Sequence, residues 1–104
     1  MLNIREEFVA KRVMGNHTVW KAPTEEELKM KIYKCLVREI KRDVKRTPMY
    51  YGGKATIAPF EEMKKEYTPV VGRRKYSVSF VDGRGDVHKH YMAIEYGHYG
   101  YVVA

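Results

Sequence analysis

The sequence predicts an α+β domain in which one long, basic, amphipathic helix packs on one face of an antiparallel sheet. Two regions of alternating apolar and polar residues, one near each end of the chain, predict strands, and a region between them with apolar residues three or four apart predicts a helix. The 104 residues are 44% hydrophobic and 32% charged, which favours a folded chain over a disordered or membrane-spanning one. We therefore expect residues 1–104 to form a single domain with the element order β-β-α-short α-β-β-β.

The first two strands are predicted as a hairpin formed by residues 8–14 and 17–22. Gly15-Asn16 lies between them, and both residue types tolerate the positive φ that a two-residue connection requires. That turn would place Lys11 opposite Trp20, and it predicts a contact between the lysine ammonium group and the indole ring.

The long helix is predicted from Thr24 to about Arg46. Thr24 is suited to cap the first free N–H groups, and Glu27, three residues later, completes a capping box. Pro48 biases Thr47 away from helical geometry and so predicts the end of the helix. Apolar residues at helical spacing form a stripe that we expect to be buried. The stripe is Leu28, Ile32, Tyr33, Leu36, Val37, Ile40 and Val44.

The opposite side of this helix is basic. Its cations are Lys31, Lys34, Arg38, Lys41, Arg42 and Lys45, with Arg46 at the helix end. Residues 34–46 contain six bases and two acids, Glu39 and Asp43 on a flank, so a net charge of +4 out of the chain's +7 lies there. Such a row would neutralise nucleic-acid phosphates and release their counterions. A solvated face, with cations favoured near the helix C-terminus, explains the same residues.

The region after the helix is predicted to be a loop followed by a short helix. Pro48 and the Gly52-Gly53 pair predict a loop over residues 47–58. Pro59 is suited to the first turn of a helix, and apolar residues at helical spacing follow it as far as residue 67.

A second hairpin is predicted after residue 73, where the hydrophobic period changes to two. Its strands are residues 73–81 and 87–96, with a turn over residues 82–86. Glycines at 97 and 100 predict a further reversal, which leaves residues 101–103 as a short last strand.

The C-terminal sheet and the exposed aromatics provide a second candidate surface. Arg73, Arg74 and Lys89 would extend the basic surface among tyrosines, a combination suited to single-stranded nucleic acid. Cross-strand packing would use the same side chains without any ligand. The residues that could stack on bases or anchor a protein partner are Trp20, Tyr50, Tyr51, Tyr91 and Tyr99.

His88 and His90 form a weak third candidate. They are two residues apart on a predicted strand, so both imidazoles would lie on one face and share a metal ion. Some metal-dependent single-strand nucleases have two histidines around an apolar residue, but Lys89 is the central residue here. Half-buried histidines that bind nothing explain the pattern equally simply.

The sequence thus predicts a small basic protein that binds DNA or RNA through phosphate contacts with low sequence selectivity. The alternative is an interaction module or small inhibitor that docks on an acidic protein, and a metal-assisted nuclease at His88 and His90 is a lesser one. No cofactor and no enzyme activity are predicted, because neither a phosphate-binding glycine loop nor a nucleophile elbow is present in the sequence.

The compartment is predicted from cysteine usage. Cys35 is the single cysteine of the chain and has no partner for an internal disulfide, so we expect a reducing, cytoplasmic setting. The first residues lack the pattern of a secretory signal. We expect no membrane-surface role, because the apolar side of the helix is needed to close the core.

Overall fold

The computed structural model describes residues 3–13, 18–66 and 68–103, and the side chains of residues 8–13, 18–66 and 68–96. This part of the chain forms a small α+β domain, as predicted. In chain order its elements are β1 (Asn3–Arg12), β2 (Val19–Ala22), α1 (Glu25–Arg46), α2 (Pro48–Tyr51), β3 (Ala55–Ile57), β4 (Lys64–Glu66), β5 (Arg73–Asp82) and β6 (Val87–Val103). None of the described helices is both long enough and apolar enough to cross a membrane.

The strands form one antiparallel sheet in the order β2-β1-β6-β5-β3. β4 pairs with β5 at residues 75–77, on the edge that β3 occupies farther along the strand. β6 is the longest strand, and it pairs with β5 over residues 87–95 and with β1 over residues 94–103. Because these two pairings are staggered, the molecule is elongated, with principal extents of 59 × 28 × 24 Å.

The core lies between α1 and the sheet face formed by alternate residues of the long strands. On β5 and β6 these residues are Tyr76, Val78, Phe80, Met92 and Ile94, all buried. Facing them, Leu28, Ile32, Leu36, Ile40 and Val44 are buried on α1, which confirms most of the predicted stripe, while Tyr33 and Val37 are half-buried. Each fully buried side chain of this kind contributes about 1.5–3 kcal/mol relative to an exposed one. The stripe therefore fixes which side of α1 points outward.

Both ends of α1 agree with the sequence pattern. The Thr24 hydroxyl accepts a hydrogen bond from the N–H of Glu27 at 3.2 Å, so the predicted N-cap is confirmed. At the other end the N–H and hydroxyl of Thr47 both donate to the carbonyl of Asp43, and Pro48 begins α2.

The predicted register of the first hairpin is wrong by one residue. Trp20 pairs with Ala10 rather than with Lys11, so Lys11 and Trp20 lie on opposite faces and the predicted ammonium–indole contact does not form. The predicted register would have placed Lys21 beside Ala10, which is fully buried against α1. Burial of the small apolar residues therefore decides the register. The predicted turn at Gly15-Asn16 lies outside the described residues.

Three further predictions are corrected. The region of residues 47–58 is not only a loop, because it contains α2 and β3. The short helix predicted from residue 59 is a single 3-10 turn, Phe60–Glu62, and the chain then continues as β4 along β5. The reversal predicted at residues 97–100 is absent from the described backbone, where β6 continues without interruption along β1. For β3, β4 and the continuation of β6, hydrogen bonds to a distant strand override the local preference.

Candidate nucleic-acid interface

The outer side of α1 presents an exposed row of cations. We call Lys34, Arg38, Lys41, Arg42 and Lys45 the basic row; each is exposed, as are Lys31 and Arg46 at its two ends. From Lys34 to Lys45 the row extends about 16 Å along the helix axis. Within the described residues only Arg42 of the row lies near an acid, Asp43, at 3.8 Å, and both groups are largely solvated. Lys31 differs, because its ammonium group donates to the Lys21 carbonyl at 2.6 Å.

Arg73 and Arg74 on β5 are arranged differently, because each of these two side chains lies near a carboxylate on another element. Arg74 pairs with Glu25 at 2.5 Å, and its guanidinium lies 3.6 Å from the centroid of the Tyr96 ring. The hydrogen bond from Arg74 holds the pKa of Glu25 below its usual value, against the effect of burial. Arg73 lies 3.7 Å from Glu95. Arg74 is therefore already paired within the protein, whereas the contact of Arg73 with Glu95 is as long and as solvated as that of Arg42 with Asp43.

The predicted surface on the C-terminal sheet is not continuous with the basic row on α1. Lys89 pairs with Ser79 on the sheet face turned away from α1, because its neighbours His88 and His90 occupy the face toward α1. Lys89 and the basic row thus lie on opposite sides of the molecule.

Glu39 is the centre of a buried polar cluster that the sequence pattern did not predict. It is only 8% exposed. Its carboxylate accepts two hydrogen bonds from the Arg12 guanidinium, one of them at 3.1 Å, and contacts Nε2 of His90 at 3.0 Å. Burial raises the pKa of Glu39, but the hydrogen bonds from Arg12 and His90 together outweigh burial, and its pKa is lowered. Its position between Leu36 and Ile40 in the apolar stripe was the available signal.

A cleft opens between β2 and α1, beside the basic row. It encloses about 200 Å³ and is lined by Trp20, Cys35, Arg38 and Arg42 together with the Arg12–Glu39 pair. We call it the Trp20 cleft. Burial raises the pKa of the Cys35 thiol, and the nearby Glu39 carboxylate adds to that effect. Cys35 is half-buried in this cleft.

His88 and His90 lie on the same sheet face, but different carboxylates contact them. Nε2 of His88 lies 2.7 Å from Oδ2 of Asp82, whereas His90 contacts Glu39. The His88 hydrogen bond lowers the pKa of Asp82, and backbone N–H groups of the β5–β6 turn reinforce that effect. Among the residues whose placement is described, no group of three or more His, Cys, Asp or Glu side chains is arranged to hold a metal ion.

The aromatic candidates are scattered rather than collected in one surface. Tyr50 and Tyr51 lie on α2, directly after α1. Tyr50 is 60% exposed and packs edge-on against Tyr51, whose ring contacts the imidazole of His88 on β6. Tyr91 is exposed on the sheet face away from α1, with the Lys75 ammonium 4.5 Å from its ring centroid. Trp20 is half-buried at the Trp20 cleft. The side chain of Tyr99 lies outside the described part of the chain.

Comparisons with protein-family models, with curated proteins and with solved structures found no match to this chain. The surfaces of the protein are therefore compared by their own charges and distances. Of these, the basic row and the adjoining Trp20 cleft combine exposed cations with an aromatic ring on one side of the molecule.

Proposed function

We propose that this protein binds nucleic acid through phosphate contacts along the outer side of α1, with little selectivity for sequence. The basic row makes these contacts, and Lys31 and Arg46 extend it at either end. The observation that carries the proposal is that the row is exposed and almost free of neutralising carboxylates among the described residues, whereas Arg74 of β5 is held by Glu25.

The position of Glu39 strengthens this argument. A helix face that serves only solubility usually intersperses cations with acids. Residues 34–46 contain two acids, but Glu39 is buried against Arg12 and His90, so Asp43 alone remains to offset six exposed cations. The outward charge of this segment is therefore higher than its sequence indicates.

A salt titration tests the proposal. We expect the affinity for a fluorescent 20-nucleotide single strand, measured by anisotropy, to fall linearly in a log–log plot against salt. Four neutralised phosphates correspond to a slope of about −2.8 and to a loss of about 50-fold in affinity between 50 and 200 mM salt. Replacing both Lys41 and Lys45 with Gln should flatten the slope by about 1.4.

The matched control replaces Lys54 and Lys64 with Gln, because both are exposed but lie off α1. This variant has the same net charge as the first and should keep the original slope. An affinity that is flat across salt, or equal slopes in the two variants, would contradict the proposal.

A protein-interaction module is the second candidate, and the uncovered face of the sheet favours it. On that face Tyr91, a residue type enriched among interface anchors, is exposed together with Val81 and Val87. The cations Lys75 and Lys89 beside them would steer an acidic partner toward this face. If the salt titration fails, stoichiometric recovery of one acidic protein from nuclease-treated lysate, lost on reversing Lys75 and Lys89 to Glu, would support this candidate instead.

A further inference from the structure

We propose that the Trp20 cleft receives one unpaired base of a single-stranded nucleic acid, with the base against the indole ring and its flanking phosphates on Arg38 and Arg42. This inference rests on the proposed function and narrows it, because it makes the protein a binder of single strands.

The position of Trp20 is the first argument. β2 is the end strand of the sheet, so one side of Trp20 borders solvent. Its cross-strand neighbour is Ala10, the smallest side chain available to cover it. Among the described aromatic side chains none forms a ring contact with Trp20, although the indole packs partly against the core. An aromatic ring held by the core at the border of a cleft is a stacking platform for a base.

The charges of the cleft are the second argument. Arg38 and Arg42 are four residues apart and therefore neighbours on α1, and both are exposed at the cleft. Arginine binds phosphate bidentately. The nearby carboxylate of Glu39 is already engaged by Arg12 and His90, so it adds no unpaired negative charge. The cleft is therefore cationic where a nucleotide strand running along the basic row would pass it.

The size of the cleft is the third argument. Its volume of about 200 Å³ is below the roughly 300–1,000 Å³ of sites that enclose a whole drug-sized ligand. It therefore suits a single planar base whose sugar and phosphates stay outside. A paired and stacked base cannot enter it, since protein side chains stack on bases that are splayed out of a helix.

Trp20 is the single tryptophan of the chain, so its fluorescence tests the inference directly. The probes are a 12-nucleotide thymidine strand and a 12-unit abasic strand with the same phosphates and no bases. We expect the thymidine strand to quench the fluorescence of Trp20, and the midpoint of this quenching titration should equal the midpoint measured by anisotropy. The thymidine strand should bind about 5- to 150-fold more tightly than the abasic strand. The abasic strand should bind without quenching. The thymidine strand should also slow alkylation of Cys35, the single cysteine, in the unaltered protein.

Paired variants separate the cleft from the rest of the row. R38Q/R42Q and K41Q/K45Q each remove two exposed cations of α1, but only Arg38 and Arg42 line the cleft. Both should flatten the salt slope, and only R38Q/R42Q should reduce the preference for the thymidine strand. Trp20→Leu should abolish that preference, provided that circular dichroism shows a folded protein.

Each negative result has a distinct meaning. Equal binding of both strands without quenching overturns the cleft inference and leaves phosphate binding standing. Equal affinity for thymidine monophosphate and the 12-nucleotide strand also overturns it, because the basic row would then contribute nothing. Absence of binding to either strand overturns both this inference and the proposed function.

Discussion

At the scale of single residues, Glu39 decides how the charge of α1 is divided. Leu36 and Ile40, its neighbours on the inner side of α1, are apolar and buried, so a polar side chain at this position must find partners in the interior. Those partners come from β1 and β6, 27 and 51 residues away. The sequence pattern indicates that position 39 borders the stripe, but it cannot identify Arg12 and His90, because only the folded sheet brings them near.

We expect Glu39→Gln to lower the free energy of unfolding at pH 7 by about 2–3 kcal/mol, since it leaves Arg12 partly buried without a counter-charge. The side chains of Arg12 and Glu39 are only 16% and 10% exposed, so solvent screens them little. The pKa of Glu39 is lowered in the folded protein, so its stabilisation is present above its ordinary value of 4.5 and is lost as pH falls through the lowered pKa. Urea unfolding of both proteins should therefore show their difference narrowing below about pH 4.5.

Asp43→Asn is the matched control, because Asp43 pairs with Arg42 in a largely solvated setting. This substitution should change the free energy of unfolding by less than about 0.5 kcal/mol at any pH. A difference between the protein and its Glu39→Gln variant that stays constant from pH 7 to pH 3 would show that the ion pair is not its source.

At the scale of secondary structure, α1 could be predicted because its signals are local. Thr24, three residues before Glu27, and Thr47 before Pro48 act on their own neighbours. The ends of the strands are harder to predict from sequence than the ends of α1. Gly97 and Gly100, for example, permit a reversal of the chain, but in the structure they pair with Val9 and Glu6 in β1. A distant partner strand supplied hydrogen bonds that no pattern around residue 100 reveals.

The cap of α1 offers a prediction at this scale. We expect Thr24→Ala to lower the free energy of unfolding by about 1 kcal/mol, because the N–H of Glu27 loses its acceptor. Thr24→Asp retains an acceptor and adds negative charge at the helix N-terminus, so it should leave stability near that of the unaltered protein. Urea midpoints of the three proteins provide the measurement. Equal losses for Ala and Asp would argue against capping as the cause.

At the scale of the whole molecule, the sheet separates two kinds of surface. One side carries α1 with the basic row, and the other is an uncovered sheet face with Val81, Tyr91 and Lys89. The sequence predicted the basic row, Tyr91 and Lys89 as surface residues but not their separation, since hydrophobic alternation does not indicate which face of a sheet a helix covers. Charge substitutions on α1 and charge substitutions on the uncovered sheet face can therefore be tested separately, because the two sets of residues lie on opposite sides of the molecule.

The pairing of β1 with β6 also has a consequence in time. Asn3 pairs with Val103, so the β1–β6 pairing is complete only when residues from opposite ends of the described chain meet. Contacts so far apart in sequence slow folding, and we expect refolding in milliseconds to seconds rather than the microseconds of small helical proteins. Stopped-flow fluorescence of Trp20 after dilution from urea measures this, and a signal that is already complete within the dead time of mixing would contradict it. Until β6 is in place, β1 is paired along one edge only, with β2, and its other edge is open to pairing with a strand of another molecule.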